Sequence, residues 1–476
     1  MSVQAGREAY DRGDREHALL EFYEALNKDF NDHQALFYAG TLLLEKGCNG
    51  VAANLLSRAL QCKPGNPDAL TNLAACYKKE ENWDGAEEIW RMAYDAFESQ
   101  GDRAAMAGTL SNIASVYVHK GDIEESLRIF DHAVSICPTQ IDALANRTMS
   151  YLWMGRWKEG WADYDYHLKL GTRHPRPYMV DGQTIPAWDG APGRKPVVYG
   201  EQGIGDEILF ASMFQDVQRI CPDAVLDCHP RLEKTFRRSF GPRCYGTRKS
   251  TNIGEWFSQE MPDCAIPIGS LGKFFRNDLK DFPGTPYLKP DPELLEKFNG
   301  QRRGKPRIGI SWAGGSKKTG KSVRSIPLDD FVPLLKSVDA DWYSLQYTKP
   351  AGEEVDKLEM ETGIHIRHFP DLVQHTDYDR TISFVASLDL VITCCTSILH
   401  VAGALGVPVW ILTPYESAWR ESGNDGKRGP NMPWYSSAKL YHRAKEDETW
   451  APTIERVRTE LVDHFGLQRA EPIAAQ

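Results

Sequence analysis

A 34-residue period governs the first third of the chain and dictates how that third can fold. Ala18, Ala52 and Ala86 recur at that interval, as do Ala25, Ala59 and Ala93. Gly6 pairs with Gly40 and Gly13 with Gly47 in the same register. Phe22, Leu56 and Trp90 follow the small residues one turn later. After an insertion of six residues near Glu98–Arg103 the pattern resumes. Ser126 and Gly160 then take the small position, Phe130 and Tyr164 the large one, and Pro64 and Pro138 close their units. Such a pattern predicts pairs of antiparallel helices. Where two helices cross closely only Gly, Ala or Ser fits, and the bulky residue fills the space beside it. One pair cannot bury its apolar face, whereas stacked pairs can.

These positions resemble the tetratricopeptide repeat, with about five copies across Met1–Leu170. The resemblance implies an α-solenoid whose concave surface receives a protein or peptide. The plainer alternative is a scaffold that assists folding or dimerisation of the rest.

Beyond the repeats the pattern changes. Gly171–Arg194 is rich in Pro, Gly and polar residues and reads as a linker. Two α/β stretches follow, over 171–300 and 301–476. Strands are expected at Pro196–Tyr199, Ala224–Cys228, Pro306–Trp312, Asp341–Gln346, Leu390–Thr393 and Val407–Thr413. Helices are expected from the glycine loop through Ile220, at Arg231–Phe240, Thr381–Leu388 and Ser397–Leu405, and at the C-terminal Pro452–Phe465. Strand and helix alternating at this spacing predict two doubly wound parallel sheets with a cleft between them.

Chemistry-bearing residues gather where those strands end. Val198–Ala211 reads VYGEQGIGDEILFA. Gly200, Gly203 and Gly205 allow a tight turn out of a strand, and the acids Asp206 and Glu207 start the next helix. An acid at the carboxyl edge of a sheet is placed to take a proton from an incoming hydroxyl. The spacing G-x-x-G-x-G is not the dinucleotide fingerprint. Further on, Cys394 and Cys395 end a strand and Thr396 or Ser397 caps a helix carrying His400. Free backbone N–H groups and the helix dipole there suit a phosphate. Gln301–Pro327 carries eight cations and no acid. Arg324 and one of Lys317, Lys318 and Lys321 are the expected phosphate contacts, the alternative being a solvated loop. Trp312, Gln346, Tyr347, Tyr415 and Trp419 are candidates for contact with a base or sugar, and Arg420 for a phosphate or carboxylate. Arg231, Lys234, Arg237 and Arg238 read as a solvated helix face.

The segments GEQGIGDEILFA (200–211), GISWAGG (309–315), RSIPLDDFVPLL (324–335), YSLQ (343–346), LDLVITCCTSILHVAGALGVPVWILTPY (388–415) and PWYSSAKLY (433–441) carry a second resemblance. Together with the repeats they are similar to bacterial and phage tetratricopeptide–glycosyltransferase proteins. Those proteins have a catalytic region like that of the lipopolysaccharide heptosyltransferases and, more distantly, the protein O-GlcNAc transferases. The resemblance implies a GT-B fold of two Rossmann-like domains, the second holding a nucleotide-sugar donor (UDP- or GDP-sugar before others). It implies a metal-independent hexosyl or heptosyl transferase without a resident cofactor. Asp206 is then the residue that activates the acceptor, with Glu207 beside it. Gly203, Gly205, Lys318, Lys321, Arg324, Thr396, Ser397 and His400 hold the donor. Relatives carry an acid before the Thr, where this chain has Cys395. That departure supports the competing expectation, a binding protein with an inactive transferase-like region. The acceptor is expected to be a protein presented by the repeats, with a saccharide, lipid-linked glycan or modified DNA base behind it.

Bulk properties narrow the field. A net charge of −10 argues against nucleic-acid binding through the whole surface and leaves only a local basic groove open. The ten cysteines form no metal-site spacing and fit a reducing compartment. The polar N-terminus lacks a secretory pattern, and Leu388–Leu412 reads as strand–helix–strand, not as a membrane span. The expectation is a cytoplasmic protein, with homo-oligomerisation open.

Overall fold

The computed structural model describes residues 3–250, 253–315, 321–373, 378–415, 417–423, 428–444, 447 and 449–465. It divides into two compact units, Met1–Tyr151 and Leu152–Gln476.

The first unit is built, among the described residues, from α1 (Val3–Asp11), α2 (Arg15–Lys28), α3 (His33–Glu45), α4 (Asn49–Cys62), α5 (Pro67–Lys79), α6 (Trp83–Gln100), α7 (Arg103–Lys120), α8 (Ile123–Ile136) and most of α9 (Ile141–Trp153). Asp or Asn side chains cap α2, α3, α5, α6, α7 and α8 by accepting first-turn backbone N–H groups. The period has a direct steric cause. Gly40 of α3 lies where a Cβ would come 2.8 Å from Leu56 of α4, and Gly6 of α1 stands likewise 2.6 Å from Phe22 of α2. In later repeats the corresponding small and large residues, Ala74 and Trp90, then Ala114 and Phe130, are all buried. The six-residue insertion lengthens two helices: α6 and α7 have 18 residues each, against 13 and 14 in α3 and α4.

The last helix pair is divided between the units. Gly160, in the helix Trp157–Asp163, keeps the repeat register, since its Cβ would lie 2.6 Å from Leu152. Yet Trp161 donates its indole N–H to the carbonyl of Arg276 at 2.7 Å, and Trp161 and Tyr164 pack edge-on against Trp419. These aromatics belong to the α/β core, so the compact division falls after Tyr151 and not after Leu170.

The second unit opens with a short hairpin, β1 (Met179–Val180) and β2 (Gln183–Thr184). Two sheets follow. The smaller contains β3 (Pro196–Tyr199), β4 (Val225–Asp227), β5 (Cys244–Tyr245) and β6 (Cys264–Pro267), all parallel, in the order β5-β4-β3-β6. The larger contains β7 (Arg307–Ser311), β8 (Asp341–Ser344), β9 (Ile366–His368), β10 (Leu390–Cys394), β11 (Val409–Thr413), β12 (Asn431–Met432) and β13 (Tyr435–His442). Its order is β12-β13-β11-β10-β7-β8-β9, with only β12 antiparallel. In each sheet the first strand lies between the second and the fourth, the reversal that leaves a crevice at the carboxyl ends of parallel strands. β3, β7, β8, β10 and β11 are buried throughout, as strands covered on both faces must be. No described helix is long and apolar enough to cross a membrane.

Phe130 holds the large position of its repeat and is 1% exposed. Phe130→Ala is expected to cost about 3–5 kcal/mol, the scale of an emptied aromatic site. Leu20, 63% exposed, should cost within about 0.5 kcal/mol when changed to Ala. Urea unfolding of the full chain, followed through the helical signal, distinguishes the two.

Candidate functional site

The loops that leave β3, β4, β5, β7, β8, β10 and β11 converge on one cavity of about 430 Å³. It lies between the two sheets of the second unit. The strand order of each sheet alone would place a crevice at this edge.

The glycine loop builds the first wall. It leaves β3 at Gly200, and Gln202 takes a positive φ of 60° to within a degree (59°) before the helix Ile204–Ala211 begins. Gly203 is its N-cap and donates its N–H to Asp206 Oδ2 at 3.0 Å. The Asp206 carboxylate therefore folds back over its own helix start. Its other oxygen pairs with Arg420 at 2.8 Å, and Arg420 also donates to Gln202 Oε1 at 2.9 Å. Arg420 lies over the Trp419 ring, 4.7 Å from its centroid, which fixes the plane of the guanidinium.

The second wall is the helix Ser397–Leu405, which leaves β10. Thr396 is its N-cap, accepting the Ile398 N–H at 3.4 Å. Ser397 accepts the Tyr378 hydroxyl at 3.0 Å. The two helix starts touch: a Cβ on Gly205 would stand 2.9 Å from the His400 ring and 3.3 Å from the Cα of Ser397. Only glycine permits that approach. His400 is buried, with Nδ1 3.3 Å from the Tyr435 hydroxyl. Burial pushes its pKa down to about 3, outweighing the pull of Asp206.

Cations dominate the remaining lining: Arg231, Arg248, Lys249 and Arg324 join Arg420. The carboxylates facing them are Asp206 and Glu421. Glu421 is 5% exposed and its Oε2 has no hydrogen-bond partner among the described residues. Burial raises its pKa, and Arg324 and Arg420 pull it back. An excess of cations beside two helix starts is an environment for a multiply charged anion.

Of the residues singled out from sequence, Gly203, Gly205, Asp206, Arg324, Tyr347, Thr396, Ser397, His400 and Arg420 line this one cavity. The others lie elsewhere. Glu207 points the opposite way from Asp206 and is fully buried, accepting the His229 N–H at 2.8 Å and pairing with Arg248. Burial pushes it up to about 7. Gly200 has no side chain because one would collide with that carboxyl. Trp312 belongs to the core of the larger sheet and donates its indole N–H to Glu354 at 2.9 Å. Gln346 is a buried clamp: its Oε1 accepts from Ser311 Oγ and from the N–H groups of Trp312 and Ala313. Trp419 is core, between Trp161, Phe210 and Trp434. Tyr415 lies under Arg428, 3.4 Å from ring centroid to guanidinium carbon. Lys317 and Lys318 fall outside the described residues, as does the side chain of Lys321.

Sequence reasoning missed Arg231, Arg248, Lys249 and Glu421. Arg231 and Arg238 were expected on a solvated face. Instead Arg231 lies over the Tyr378 ring at 4.9 Å, and Arg238 pairs with the buried Asp379 at 2.5 Å. Both side chains meet the helix Tyr378–Val385, which shields them from solvent on that side.

Comparison with known proteins bears on the repeats. The tetratricopeptide-repeat family profile matches residues 67–139, so this part of the solenoid consists of tetratricopeptide repeats. Protein FlbA of Caulobacter vibrioides is 24% identical over 502 aligned positions, covering 93% of this chain and 81% of its own length. The crystal structure of MamA covers 35% of this chain and 94% of MamA, with 17% identity and a TM-score of 0.31. That of YrrB, described as a TPR protein with an unusual peptide-binding site, covers 36% of this chain and 84% of YrrB, with 20% identity and a TM-score of 0.29.

His400 stays neutral in the folded chain down to about pH 3, whereas its ordinary value is 6.5. Between those values the unfolded chain binds a proton that the folded chain does not, so this group makes stability fall as pH drops. His400→Gln should flatten the unfolding free energy against pH between about 6.5 and 4, by up to about 1.4 kcal/mol per unit. Urea titrations at several pH values test this, and an unchanged slope would mean that the imidazole is solvated.

Proposed function

We propose that the second unit is a glycosyltransferase of the GT-B kind. It would move a sugar from a nucleotide-sugar donor to an acceptor hydroxyl, without a metal, while the repeats receive a protein acceptor. One observation carries this reading. Asp206, the Thr396–Ser397 helix start and the cations Arg324 and Arg420 occupy a single cavity at the carboxyl edges of two parallel sheets. That is where a diphosphate and an acceptor hydroxyl have to meet for transfer.

In this reading the acceptor oxygen attacks the anomeric carbon and its proton passes to Asp206. The bond from that carbon to the diphosphate oxygen breaks, and the nucleoside diphosphate leaves with the electron pair. Charge growing on the leaving oxygen is met by Arg324, Arg420 and the helix start at Ser397. The ion pair to Arg420 and the Gly203 N–H hold the Asp206 carboxylate in one orientation. His400, neutral at working pH, adds no positive charge and closes the wall behind Gly205. Glu207 acts at one remove, as the counter-ion that positions Arg248.

A non-catalytic scaffold is the second reading, and Cys395 favours it. Relatives place an acid there, whereas this thiol is buried and its pKa is raised well above the ordinary thiol range, so it offers no carboxylate to a donor hydroxyl.

Thermal denaturation with nucleoside diphosphates separates these readings, because a ligand of the native state raises Tm by mass action. A rise at millimolar UDP or GDP supports the transferase; no rise with any nucleoside diphosphate supports the scaffold. Arg324→Ala should weaken that binding by about tenfold, the scale of a charge-assisted hydrogen bond. Asp206→Asn should leave nucleotide binding in place and slow nucleotide-sugar turnover by about a hundredfold or more, the usual scale of a lost general base. Mass spectrometry of released sugar and modified protein measures the second effect, and unchanged turnover would remove Asp206 from the role.

A further inference from the structure

A second cavity, of about 490 Å³, lies on the larger sheet and shares no lining residue with the first. Its floor is aromatic. Tyr343 of β8 is buried, meets Phe384 edge-on at 5.2 Å between centroids, and Phe384 meets Phe298 in the same manner. Phe369, just after β9, stands at the mouth with 45% of its surface exposed.

The rim is basic. Lys297, Arg303, Arg367 and Arg380 surround this floor, against the single carboxylate of Asp371. Arg367 is already satisfied, by Asp341 at 3.0 Å and the Tyr343 hydroxyl at 2.9 Å. The other three have no carboxylate partner among the described residues, and the Arg380 Nε is shielded from solvent without any hydrogen bond. Several guanidinium groups elsewhere in this unit are paired: Arg302 with Asp389, Arg238 with Asp379, Arg173 with Glu201. Three unpaired cations around a ring-lined hollow are complementary to a ligand that brings both a ring and negative charge.

We propose that this cavity is a second ligand site, for a small aromatic anion: a planar ring bearing a phosphate. The ring packs against the exposed Phe369 at the edge of the Tyr343 and Phe384 floor, and the phosphate is held by Arg303 and Arg380. Lys297 and Arg303 are exposed, so the phosphate end faces the mouth. The helix Tyr378–Val385 forms the wall between the two cavities. Its Tyr378 and Thr381 face the first, its Arg380 and Phe384 the second. The site does not depend on what the first cavity binds.

The test is calorimetric titration of the full-length chain with phenyl phosphate, with inorganic phosphate and phenol as separate probes. Binding of phenyl phosphate at millimolar concentration or tighter, with both partial probes weaker, is expected. The double variant Arg303→Gln/Arg380→Gln should weaken it by about tenfold or more, the loss of charge-assisted contacts. Phe369→Ala, at an exposed position, should weaken it in a correctly folded chain. Arg324→Ala, in the first cavity, should leave it unchanged, which separates this site from any anion binding between the sheets. The proposal is overturned if phenyl phosphate fails to bind. It is equally overturned if the double variant binds it normally, or if Arg324→Ala abolishes it.

Discussion

The backbone of Gly205 lies against the ring of His400, and the arrangement of the second unit depends on that contact. Two helices, each leaving the carboxyl end of a parallel strand, meet there with their N-termini side by side. Both ends carry unsatisfied N–H groups and partial positive charge, so bringing them together is electrostatically unfavourable. The chain offsets this with short polar caps and one carboxylate. Thr396 caps one helix, and Asp206 folds back onto the Gly203 N–H of the other. His400, kept neutral by burial, adds no further charge at the point of closest approach.

That geometry leaves a cleft with an excess of cations and little freedom in its walls. Asp206 is tied to Arg420, Arg420 to Gln202, and Arg420 is stacked on Trp419. Further out, Asp379 on the helix Tyr378–Val385 accepts from Thr235 and Arg238 on the helix Glu233–Phe240, tying the larger sheet's side to the smaller's. Opening the sheets would break a partly buried ion pair and a buried hydrogen bond together. A multiply charged anion would compete with Asp206 for Arg420, and so loosen one of these ties while occupying the space beside it.

Much of this was legible in the sequence, for identifiable reasons. The solenoid announces itself because a steric rule, small against large, repeats at a fixed interval from Gly6 to Tyr164. The central strands are legible because burial on both faces leaves short apolar runs such as Ile308–Ile310 and Leu390–Ile392. The helix Ser397–Leu405 is legible to the residue, with Thr396 or Ser397 as its cap, and Thr396 takes that place in the structure. What escaped was direction. Asp206 and Glu207 are neighbours, yet one faces the cleft and the other the core, because successive helical positions diverge by about 100°. Trp312 and Gln346 end strands at the right edge, but their side chains turn inward. The division of the last repeat was equally hidden: Gly160 and Tyr164 keep the repeat's pattern, yet Tyr164, with Trp161, serves the α/β core.

The glycines of the loop show why a motif and its cause can come apart. G-x-x-G-x-G suggests room for a ligand beside the backbone. Here Gly200 makes room for the Glu207 carboxyl and Gly205 for a facing helix, while Gly203 caps the helix and orients Asp206. Two of the three therefore serve protein–protein packing inside the unit, and only the third acts directly on a group in the cleft. The same holds for Glu207: its carboxylate fixes Arg248 and the backbone at His229, both of which border the cavity. The side chains that line the cavity rest on residues that do not face it. A substitution at Gly200 or Glu207 would be felt in the cleft through the displacement of Arg248 and not through lost contact.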